Sequence, residues 1–153
     1  MSHLRDFDFL LGNWSVRHRR LRRRGVGCRQ WDEFEGSAAT RPLLGGLCNI
    51  EEHDIPGTSF SGVALRSFDR SASLWSIYWV SAGDGVLQPP VAGTFTGEVG
   101  RFEGQDVDGE RPILVRFIWD RSSSDAPRWA QSFSYDRAAS WELNWEMEFR
   151  RAG

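Results

Sequence analysis

From Trp14 onward the chain alternates between side chains of opposite character with a period of two. Trp14, Val16 and His18 fall on one side of an extended chain; Ser15, Arg17 and Arg19 fall on the other. The alternation is cut repeatedly by glycine and proline, at 25–27, at Gly45-Gly46, at Pro56-Gly57, through 83–90 and at Gly97, Gly100 and Gly109. Between these breaks the pattern predicts further strands over 29–36, 37–44, 47–55, 60–69, 74–81, 91–96, 101–107, 112–120, 128–135 and 141–151. That is about ten short strands at the ~8–12-residue spacing of an all-β barrel or sandwich. Ahead of them, Phe7, Leu10 and Leu11 share a side at helical spacing. Asp6 or Ser2 can cap a short N-terminal helix there, and Gly12-Asn13 stop it, leaving a hydrophobic plug for one end of the sheet.

Cross-strand register sharpens the reading. Setting Trp119 opposite Trp129 pairs Phe117 with Gln131 and Val115 with Phe133. Pairing Phe133 with Leu143 then sets Gln131 opposite Trp145 and Trp129 opposite Met147, so these residues share one apolar face, the inside. The outer wall then carries Arg116, Ser132 and Asn144 in a row, flanked by Glu142, Glu146 and Glu148. In the same way, Phe68 opposite Trp75 pairs Arg66 with Ile77 and Ala64 with Trp79. Arg66 then stands on an apolar face, where a charge needs a partner or a ligand.

Composition adds one strong constraint. The 153 residues are one domain's worth, spanning 1–153 without a linker, and they include 8 Trp and 10 Phe against 2 Tyr. So many large rings must fill a core, wall a cavity or form an interface. All 19 basic residues are arginine, and the net charge of −2 gives nucleic-acid binding no support. The basic run from Arg17 to Arg24 reads as a solvated strand and turn or as a local anion contact. Met1 to Arg5 is followed by acids rather than a long apolar run, and no segment approaches ~20 apolar residues. No membrane partner is expected, and the expected location is cytoplasmic, with Cys28 and Cys48 reduced.

These pieces resemble the calycin superfamily of up-and-down β-barrels, which includes lipocalins and fatty-acid-binding proteins. There, too, a short N-terminal segment leads into a Gly-x-Trp at the closed end of the barrel, as Gly12-Asn13-Trp14 would here. More closely, the chain looks like an uncharacterised bacterial family of lipocalin-like domains. The matching pieces are 7–14, 75–79, 116–119, 128–134 and 141–149. The resemblance implies an all-β, antiparallel up-and-down barrel of about ten strands. One calycin branch, the nitrobindin-like proteins, binds haem through a histidine near the C-terminus. No histidine follows His53 in this chain, so that ligand does not carry over and no cofactor is expected.

Small barrels either fill with side chains or hold one small ligand. In the second case Trp79, Trp119, Trp129 and Trp145 wall a narrow pocket, with Arg66 and Gln131 as polar anchors and Trp31 and Glu33 completing the candidate set. An arginine among aromatic rings suits a small, partly apolar, anionic molecule. Arg66 could instead pair with Glu33 or Glu35, and Gln131 could bond a neighbouring strand or an indole N–H. Glu51 and His53 share a face, but three histidines far apart in sequence make a weak case for a metal, and none is expected. Glu33 or His18 could act as acid or base in an isomerase or cyclase on the same scaffold. A third reading is a ligand-free module whose outer wall forms a homodimer.

Overall fold

The alternation that begins at Trp14 is realised as strand β1 (Gly12–Leu21), followed by β2 (Trp31–Leu43), β3 (Cys48–Asp54), β4 (Gly62–Asp69) and β5 (Leu74–Ser81). The chain continues through β6 (Val91–Thr96), β7 (Val99–Asp108), β8 (Arg111–Asp120), β9 (Arg128–Ser134) and β10 (Glu142–Arg151). This is a computed structural model, and it describes residues 3–152. Each strand pairs antiparallel with the next, and β10 returns to β1, closing the barrel. The closing register sets Trp14 opposite Arg151, Val16 opposite Phe149 and His18 opposite Met147. Pairing is long on most of the wall, from Val99↔Asp120 to Asp108↔Arg111 between β7 and β8, but short between β5 and β6. There it covers only Trp75↔Gly93, Ser76↔Ala92 and Ile77↔Val91.

Three expectations are corrected. The N-terminal helix is a single 3-10 turn over Asp8–Leu10, because Leu11 is already extended and Gly12 turns the chain at φ +114°. Strands 29–36 and 37–44 are one strand, β2. Gly36 does not end a strand. It lies within the β2 ladder, where a Cβ would stand 2.6 Å from the Asp54 carbonyl oxygen, so glycine permits close passage of the neighbouring chain. The third correction is at Asn144. Pairing runs Trp129↔Met147 and Gln131↔Trp145 as expected, then slips between Leu143 and Trp145, so that Phe133 faces Glu142. The bulge turns Asn144 inward to full burial instead of onto the outer wall, and it accepts a bond from Gln131 Nε2 at 2.8 Å. The β8–β9 and β4–β5 registers match expectation at every pair named above.

One end of the barrel is stoppered. Phe7 is 1% exposed and packs edge-on against Trp75 and Phe95 at ring distances of 5.2 and 5.4 Å. Trp14 is fully buried and donates its indole N–H to the Leu10 carbonyl at 2.8 Å. Arg151 lies over the Trp14 ring at 3.9 Å and donates to the carbonyls of Leu11 and Phe9. Arg121 ties the same segment to the Gly97 turn through bonds to the Asp6 and Gly97 carbonyls. The connections β1–β2, β3–β4, β5–β6, β7–β8 and β9–β10 all lie at the opposite end, where no described segment forms such a plug.

Candidate functional site

Strand alternation sends Ala64, Arg66 and Phe68 of β4, and Trp75, Ile77 and Trp79 of β5, into the barrel. Pairing of β3 with β4 matches Asn49 with Arg66 and Glu51 with Ala64, so Asn49, Glu51 and His53 point inward too. β1 adds His18, and β8 to β10 add Phe117, Trp119, Trp129, Gln131, Phe133, Trp145 and Met147. All of these except Asn49, Phe68 and Trp75 line a cavity of about 430 Å³. Its floor is Arg66 and Trp119, and its mouth lies among Asp84, Val107, Asp108 and Gly109. The volume falls inside the roughly 300–1,000 Å³ range of small-molecule sites.

Of the residues singled out from the sequence, Arg66, Trp79, Trp119, Trp129, Gln131 and Trp145 are brought together here. Trp31 and Glu33 are not. Antiparallel pairing sets Phe34 opposite His18 and Glu33 opposite Arg19, so Phe34 faces in and its neighbours face out. Glu33 is exposed, and Trp31 lies half-buried beneath the Arg19 guanidinium at 4.0 Å. Arg66 does not pair with Glu33 or Glu35. It donates to Asn49 Oδ1 at 2.8 Å and to Glu51 Oε1 at 2.7 Å, with its guanidinium 5.0 Å from the Phe7 ring.

Glu51 is the hub of this network. One carboxylate oxygen accepts from Arg66 and from His53 Nε2 at 3.0 Å; the other accepts from Thr40 Oγ1 at 2.8 Å. Burial opposes its ionisation, but Arg66 and His53 outweigh burial and hold the carboxyl well below the usual carboxylate range. An ionised carboxylate only accepts, so the His53 Nε2–H donates in this bond, and Nδ1 of the same ring has no partner. His18 is the complement. The Trp145 indole donates to its Nδ1 at 3.1 Å, so the proton sits on Nε2, which also has no partner. The His18 and His53 rings stand 6.1 Å apart at 72°.

Burial, reinforced by His53, pushes His18 down to about 3 from 6.5, so its ring is neutral at pH 7. Because the folded value is depressed, the unfolded chain takes the proton first. Stability from this group is complete above pH 6.5 and is lost as pH falls toward about 3. The slope is on the order of 1.4 kcal/mol per pH unit. Urea midpoints at pH 7 and pH 5 are expected to differ accordingly, and to converge in His18→Asn, which cannot titrate. An undiminished difference in that variant would show that another group drives acid unfolding.

Arg20, near the mouth, lies over the Phe60 ring at 4.1 Å and the Trp145 ring at 5.1 Å. It makes no ion pair among the described residues, and its Nε has no hydrogen-bond partner. Burial, helped by Arg24, lowers it to about 10, so it stays charged at pH 7. Arg24 approaches Asp108 at 3.9 Å, and Tyr135 donates to the same carboxylate. Cys28 and Cys48 are free thiols. Among the described residues no three His, Cys, Asp or Glu side chains are grouped to hold a metal ion, and no helix is long and apolar enough to cross a membrane.

Fold and site together define a closed ten-stranded antiparallel barrel around an aromatic-walled cavity with a buried Arg–Glu–His network. No protein-family model matches the chain, and no curated protein matches it.

Proposed function

We propose that the chain is a calycin-like barrel that binds a small, partly apolar, anionic molecule. The Trp79, Trp129 and Trp145 wall supplies apolar area for the ligand's body. Arg66 is a poor anchor for its charge, because Glu51 already neutralises it. The observation that carries the reading is Arg20, a half-buried cation lying over two rings beside the cavity, with Asp32 and Asp108 in its field but neither in an ion pair with it. A guanidinium with an unpartnered Nε–H suits a carboxylate or phosphate better than any neutral group.

The test is titration of intrinsic tryptophan fluorescence with medium-chain fatty acids and aryl carboxylic acids, alongside their neutral amides. Saturable quenching is expected for the acids. Arg20→Gln is expected to weaken acid binding roughly tenfold, the equivalent of about 1.4 kcal/mol, and to leave amide binding unchanged. Equal loss for acids and amides would remove Arg20 as the anion anchor. Native mass spectrometry of the same samples reads stoichiometry and separates monomer from dimer.

A further inference from the structure

The cavity wall carries two polar atoms that the binding reading does not use. His18 Nε2–H is a donor without an acceptor, and His53 Nδ1 is a ring nitrogen without a partner. Both side chains are at least 96% buried, with His18 and His53 exposed by only 3% and 4%. Buried hydrogen-bonding groups left unmet are costly. Both rings are packed, Phe34 stacked on His18 at 5.0 Å and Trp79 against His53 at 5.9 Å, yet these two nitrogens, on rings 6.1 Å apart, stay unpartnered. Together they fit a ligand group that offers an acceptor oxygen next to an acidic hydrogen.

We propose that His53, backed by Glu51 and facing His18, catalyses proton transfer at the α-carbon of an enolisable carbonyl compound, of which an anionic arylpyruvate is the simplest that also fits the wall. This rests on the binding reading above. His53 Nδ1 takes the α-proton. The C–H electron pair becomes the new C=C bond, and the carbonyl π pair moves onto oxygen, which His18 Nε2–H holds as an enolate. The imidazolium of His53, paired with Glu51, returns the proton to carbon or to oxygen, giving back the ketone or releasing the enol. No electrons are gained or lost and no second reactant is needed.

The charges are arranged for this step. Glu51 and Arg66 cancel in the resting site, so moving one proton creates an imidazolium and an enolate with no net change in buried charge. Glu51 is the positioning residue: its bond to Nε2 fixes the tautomer that bares Nδ1. His18 is kept neutral by burial, and a neutral imidazole donor is a better match to an enolate than a fully charged one that would surrender its proton. Both free nitrogens are covered, so engaging them takes a local shift of the neighbouring rings, which also admits the solvent that exchanges the proton held on His53.

The full-length chain is incubated in D₂O at pH 7 with phenylpyruvate or indolepyruvate. Loss of the benzylic C–H signal is followed by proton NMR, and binding is measured on the same samples by calorimetry. Binding is expected, with exchange at least ~10²-fold above the buffer rate. His53→Gln keeps a donor toward Glu51 but has no base, and it is expected to return exchange to the buffer rate while binding remains measurable by calorimetry. His18→Asn, whose amide oxygen still accepts from Trp145, is expected to slow exchange about tenfold by removing the oxygen's donor; it also serves as the readout if His53→Gln does not fold. Binding without accelerated exchange overturns the catalysis and leaves the binding reading standing. If neither arylpyruvate binds, this proposal falls; the binding reading falls with it only if the fatty acids and aryl carboxylic acids also fail to bind. Exchange undiminished in both variants overturns the assignment of the two histidines.

Discussion

Glu51→Gln is expected to lower the free energy of unfolding by about 3–5 kcal/mol, read as a fall in the urea midpoint with little change in slope. The carboxylate has almost no solvent contact and offers acceptors to Arg66, His53 and Thr40 at once. A glutamine retains one acceptor oxygen and presents an N–H₂ where a donor already stands. Arg66, 1% exposed, is then left as a buried charge without a counter-charge. Replacing both partners, Glu51→Leu with Arg66→Met, is expected to recover much of the loss, because the desolvation cost disappears with the pair. A wild-type midpoint for Glu51→Gln would show that the network does not bear on stability.

The second large effect lies at the cavity floor. Trp119 is 1% exposed and packs against Phe149 at 5.4 Å, Phe9 at 5.9 Å and the Arg66 guanidinium at 5.4 Å. Trp119→Ala is expected to cost about 3–5 kcal/mol through the void it leaves. Trp119→Phe should cost far less, because the indole N–H has no partner to lose. Thermal or urea unfolding of the two variants tests this. Equal costs would mean that the N–H is bonded in solution or that the void collapses.

Much of the barrel could be read from alternation, because a closed antiparallel wall imposes one inward phase on every strand. Trp119 opposite Trp129 and Phe68 opposite Trp75 were accessible because each hairpin has a large ring at the same phase on both arms. Asn144 was not accessible: a bulge adds one residue, reverses the phase of what precedes it, and leaves no mark in composition. Glu33 was misplaced because β2 has acids on both of its faces at that point, with Asp32 beside it, so only the pairing with β1 settles which points in. The central network was nearly within reach. Arg66 stood on an inward face by register, and Glu51 with His53 shared a face, but the two were never joined. Carrying the β4–β5 register across one more hairpin, through Asn49↔Arg66, joins them. Arg20 lies in a basic run that reads as solvated surface or a local anion contact, and its place over two rings depends on the distant Phe60 and Trp145.

The short pairing between β5 and β6 gives the wall a hinge line. Beyond Ile77, β5 is held on that side by a bridge from Val80 to Leu87 and a bond from Gln88 N–H to the Trp79 carbonyl, both supplied by a loop rather than a strand. Few backbone bonds must break for the barrel to breathe there, and Trp79 and Val91 border the cavity on either side of it. Of all the seams in the wall, this is the one whose opening would widen the way into the cavity at the smallest loss of backbone hydrogen bonds.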